Sequence, residues 1–119
     1  MAYLQRDLDA LVRGDDWVIK LTITSEGVPL DVTGYQYWLT LKADYEDADP
    51  GAIQTTVTVA ASAEATGGIV YIRAPRADTV NVAPRNYYYD IQQLDGADTV
   101  QTILIGKVLV VKDITRAVV

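Results

Sequence analysis

The chain has 119 residues, half of them apolar, so it can bury a core as one domain without covalent staples. Sixteen acidic against ten basic side chains leave a formal charge of -6, which repels nucleic-acid phosphates and anionic lipid headgroups and argues against either as a partner. The sequence has no cysteine and no histidine, which removes a disulfide framework, the Ser-His-Asp and Cys-His nucleophile systems and most zinc sites together.

In chain order, Met1 to Asp7 lack the basic stretch and apolar run of a secretory signal, so none is expected. Leu4, Leu8, Leu11 and Val12 fit helical spacing, but Leu11-Val12-Arg13 running through Gly14 fits a first edge strand, the reading we favour. Residues 17 to 24 alternate cleanly, with Trp17, Ile19, Leu21 and Ile23 on one face, and predict a half-buried strand. Ser25-Glu26-Gly27 is turn chemistry, and Pro29 confines the next segment to an edge because it cannot donate to a ladder. Tyr35 to Lys42 predicts a strand with Tyr35, Tyr37, Leu39 and Leu41 opposite Gln36, Trp38, Thr40 and Lys42.

The stretch from Asp44 to Ala52 breaks the pattern with acids, Pro50 and Gly51, and reads as a solvated loop. Ile53 to Ala60 is rich in β-branched residues and predicts another strand. Gly67-Gly68 reads as a tight hairpin turn into a strand from Ile69 to Arg73, which Pro75 stops. Residues 76 to 79 can form one helical turn with Pro75 at its start. Tyr87 to Gln92 predicts a strand with Tyr87, Tyr89 and Ile91 facing inward and Tyr88, Asp90 and Gln92 opposite, and Asp95-Gly96 turns it back. The last strand, Val100 to Lys112, is aliphatic on both faces, with Gly106 where a bulge is expected. Its apolar stretches are broken by Gly106-Lys107 and fall short of the roughly 20 residues of a membrane-spanning helix. Recurrent strands joined by turns predict an all-β antiparallel sandwich of seven to eight strands.

Motifs that could carry chemistry are sparse. Ser25 and Ser62 sit in turns, and no glycine-rich loop opens a helix with a basic residue behind it. The loop from Asp44 to Gly51 concentrates oxygen ligands, yet Ala48 occupies the third position of a calcium loop and no Glu closes it, so it reads as solvated. Arg13-Gly14-Asp15 spells an integrin-binding tripeptide, but leads straight into a strand, where Gly14 bends the chain and the aspartates keep the edge polar. No catalytic, cofactor or metal residue is assigned. Trp38 and Tyr88 alternate away from the apolar faces of their strands and are candidate contact residues. On the last strand Ile103, Ile105, Lys107, Leu109 and Val111 share one face. Lys107 turns that face outward, which makes Leu109 and Val111 candidates for an interface.

Three segments together, Arg13-Gly14-Asp15-Asp16-Trp17, Gly27-Val28-Pro29-Leu30-Asp31-Val32-Thr33-Gly34 and Gly106-Lys107-Val108, resemble immunoglobulin-like domains of tailed-phage virions over roughly residues 11 to 115. The relevant members are the N-terminal domains of baseplate upper proteins and related tail-fibre modules. The resemblance implies a non-enzymatic structural protein of a phage or prophage tail. It would be assembled in the host cytoplasm into the virion, hold other tail proteins, associate with itself and need no cofactor. Unlike the baseplate upper proteins, these residues include no helical linker or receptor-binding head. The alternatives are a carbohydrate- or peptide-binding module using Trp38, Tyr88 or the acidic loop, and a small enzyme working through paired carboxylates.

Overall fold

The computed structural model describes residues 4–5, 8–44, 46–48 and 51–112. Met1 to Tyr3, Arg6 and Asp7 of the segment bearing on export, Tyr45, Asp49 and Pro50 of the acidic loop, and residues 113 to 115 of the resemblance lie outside them.

Two short strands, β1 (Leu4–Gln5) and β2 (Leu11–Val12), precede β3 (Trp17–Thr22) and a small hairpin of β4 (Thr24–Ser25) and β5 (Val28–Pro29). Next come β6 (Gln36–Lys42) and β7 (Ile53–Thr58), then α1 (Ala63–Thr66), β8 (Ile69–Ala74) and α2 (Arg76–Thr79). The chain closes with β9 (Arg85–Leu94) and β10 (Val100–Val111). The larger sheet has the order β1-β10-β9-β6-β7, with β2 also on β10, while β3 and β8 form a second sheet. Pairing is antiparallel except where β1 and β2 run parallel to β10. The molecule is an all-β sandwich. Each of the steps β3 to β6, β7 to β8 and β8 to β9 changes layer, which is the immunoglobulin-like strand order.

The core follows from the pleat. Alternate residues of β6 (Tyr37, Leu39, Leu41), β9 (Tyr87, Tyr89, Ile91) and β10 (Val108, Val110) meet Trp17 and Leu21 of β3 and Val70 and Ile72 of β8 in one cluster. Tyr37 and Gln93 are ladder partners on β6 and β9, and the Tyr37 hydroxyl donates to Gln93 Oε1 at 2.8 Å inside that core. At the corner leading into β9 the Tyr87 hydroxyl donates to the Ala83 carbonyl at 2.6 Å. This back-bond from the start of the strand is the tyrosine corner of immunoglobulin-like domains.

The Arg13-Gly14-Asp15-Asp16 turn has a structural task. Asp16 Oδ1 accepts from the Arg76 N–H at 2.8 Å and the Asp15 carbonyl accepts from Thr79 Oγ1 at 2.7 Å, so the turn holds α2 at both ends.

Two sequence expectations are corrected. Gly67-Gly68 does not close a hairpin, because β7 and β8 pair with different partners. Ser62 instead caps α1, its Oγ accepting from the Ala65 N–H at 3.0 Å, and the helix carries the chain from one layer to the other. Gly68 ends it at φ +79, packed so closely on the Ile23 carbonyl that a Cβ would collide with it. The register shift in β10 falls between Thr102 and Leu104, not at Gly106. Ile103 therefore leaves the outward row and packs with Leu104 against the core.

Candidate functional site

The outward face of the larger sheet is built from the alternate residues that the core does not use. Cross-strand register arranges them in rungs. Lys42, Tyr88 and Lys107 stand side by side, and the next rung is Gln54, Thr40, Asp90 and Ile105. Beyond it stand Thr56, Trp38, Gln92 and Thr102. On the other side of the lysine rung, Leu109 faces Asn86. All four contact residues read from the sequence, Trp38, Tyr88, Leu109 and Val111, thus belong to this one face. Leu109 is 43% exposed, while Trp38, Tyr88 and Val111 are half-buried among their neighbours.

The rungs explain a hollow. In the middle rung Thr40 and Asp90 are short, whereas Lys42, Tyr88 and Gln92 on either side are long, and the difference leaves a depression of about 130 Å³. Ile105 and Gln54 close its ends. Thr40, only 7% exposed, forms its floor and accepts from Gln54 Nε2 at 3.0 Å through Oγ1. The Lys107 ammonium lies 5.7 Å from the Tyr88 ring centroid, and the Arg85 guanidinium lies at the same distance from the Tyr87 ring. Lys42, Tyr88, Asp90 and Lys107 each have a polar, ring or electrostatic contact within the protein, so the face is organised before any ligand arrives. A second depression, lined by Asp44, Arg85, Asn86 and Lys107, adjoins the first at Tyr88.

Sequence reasoning found the aromatic and aliphatic members of the face and missed Asp90, Gln92, Thr40 and Gln54. Their alternation was visible, but nothing local says that Asp90 stands between Thr40 and Ile105. In the acidic loop Asp47 Oδ2 accepts from the Asp44 N–H at 3.1 Å, a local turn contact. Among the described residues no cluster of three or more acidic side chains is placed to hold a metal ion.

Fold and face together define an immunoglobulin-like sandwich with a mixed polar and aromatic sheet surface. No family model and no curated protein matches the chain. Among solved structures, a 2,6-sialyltransferase of Vibrionaceae Photobacterium sp. JT-ISH-224, in ternary complex with CMP and lactose, is similar over 93% of this chain at 12% identity and a TM-score of 0.30. This chain spans 18% of the length of that enzyme. A superposition this loose supports no argument about activity.

Proposed function

We propose that this chain is a non-enzymatic assembly domain of a phage or prophage tail that works through protein–protein contacts, including contacts with copies of itself. It reaches the virion from the host cytoplasm and uses no cofactor. The observation that carries the reading is the outward row of β10, where Leu109 and Val111 sit on the face opposite the core. A sandwich strand normally wets that face. Side chains of this kind contribute about 1.5–3 kcal/mol each when a neighbour buries them fully, so a few sustain an oligomer. The tail assignment is supported by the three resembling segments, of which Arg13 to Trp17 spans the turn that holds α2 and the first residue of β3, and Gly106 to Val108 lies within β10.

The test is light-scattering chromatography of the parent and of Leu109→Glu. The parent is expected to elute as an oligomer and the variant as a folded monomer with an unchanged β-type circular dichroism spectrum. A parent that is monomeric at high concentration refutes the reading.

A further inference from the structure

Beyond assembly, we infer that the hollow centred on Asp90 is a binding site for one pyranose ring of a neutral glycan.

Size comes first. At about 130 Å³ the hollow is well below the roughly 300–1,000 Å³ of sites that enclose drug-sized ligands, so nucleotides and large cofactors do not fit. It holds one sugar ring or one side chain.

Chemistry separates those two. A sugar presents hydroxyls that each donate and accept, on a ring whose C–H faces are apolar. The hollow offers the Asp90 carboxylate as acceptor, the amides of Gln54 and Gln92 as donors and acceptors, and the Lys42 ammonium as donor. Tyr88 and Ile105 supply apolar contact at its margins. A single acid with Lys42 and Lys107 on diagonal positions gives mixed charge, suited to neither a strongly anionic nor a strongly cationic guest. An extended peptide binds most readily by adding to a sheet edge, and this hollow lies over β6 and β9, both paired on two sides.

The site is distinct from the Leu109 contact. Ile105 at the hollow and Leu109 are four residues apart on one strand, roughly 14 Å at strand rise.

Nitrogen-15-labelled protein would be titrated with methyl glucopyranoside, methyl galactopyranoside, methyl mannopyranoside and N-acetylglucosamine, following backbone amide shifts. At least one sugar is expected to give saturable shifts concentrated at Thr40, Tyr88, Asp90 and Gln92, with a millimolar dissociation constant. Asp90→Asn and Tyr88→Ala should each weaken it roughly tenfold or more, since an interaction with a charged acceptor and an aromatic wall are lost. Leu109→Glu should leave it unchanged, so failure of the assembly reading and failure of this one appear in different variants. If Asp90→Asn does not fold, Tyr88→Ala decides. The inference is overturned if no sugar produces saturable shifts, if the shifts fall elsewhere, or if the folded variants bind as the parent does. Shifts at the hollow from N-acetyl-argininamide and from none of the sugars would assign it to a protein side chain instead.

Discussion

Replacing Tyr37 with Phe deletes one oxygen from the interior of the sandwich. Tyr37 is fully buried and Gln93 is 5% exposed, and the bond between them spans adjacent strands of the larger sheet. A neutral hydrogen bond contributes about 1 kcal/mol net, but its loss takes from the buried Gln93 Oε1 the donor it has in Tyr37, and an orphaned buried acceptor costs about 1–3 kcal/mol. Tyr37→Phe should therefore lower stability by about 1–3 kcal/mol, read as a lower urea midpoint at unchanged slope. Gln93→Leu orphans the phenol instead and should cost a similar amount. The double variant removes both polar atoms, so its loss should fall short of the sum by at least about 1 kcal/mol. Strict additivity, or a Tyr37→Phe variant within about 0.3 kcal/mol of the parent, would show that the pair is not the coupled buried contact seen here.

The remaining predictions concern pH and backbone geometry. Burial raises the Tyr37 phenol far above its usual range, and burial likewise raises Tyr87, partly offset by the Arg85 charge. Both groups are neutral in the folded state at pH values where the unfolded chain already ionises. Their contribution is thus complete below about pH 10 and declines as pH rises past it, so urea midpoints should fall on the alkaline side. Tyrosinate absorbance should show at least one of the eight tyrosines, Tyr37, ionising only with unfolding. Full titration of every tyrosine in the folded protein would contradict this. Asp31 works in the opposite direction. Thr33 donates to its carboxylate from hydroxyl and N–H and lowers its pKa, so that exposed turn is favoured above the ordinary carboxylate range and loses its advantage as pH falls.

Gly34 and Gly68 both adopt positive φ, but a Cβ on Gly34 meets open space while one on Gly68 meets the Ile23 carbonyl. Gly34→Ala should cost about 1–2 kcal/mol for the left-handed backbone alone. Gly68→Ala should cost clearly more by thermal or urea unfolding. Equal losses would mean that the packing of α1's exit on Ile23 is looser than described.

Away from the irregularity at Ile103, the sequence by itself determined which way the residues of the long strands point, because the pleat alternates side chains residue by residue and needs no knowledge of the neighbour. It put Tyr87 and Tyr89 inside and Tyr88 outside, set Trp38 opposite Tyr37 and Leu39, and turned Leu109 out with Lys107. One-turn α2 behind Pro75 and the turn at Asp95-Gly96 were equally local. Only the tertiary structure decided what those faces touch. Cap chemistry at Ser62 made a layer-crossing helix where two glycines resembled a hairpin, since pairing partners are chosen across the chain. The irregularity at Ile103, three residues before the glycine that invited it, keeps the start of β10 in register with Gln92 and Gln93 of β9. The hollow at Asp90 has the same origin. Short and long side chains became its floor and walls only when long-range register set β6, β9 and β10 beside one another.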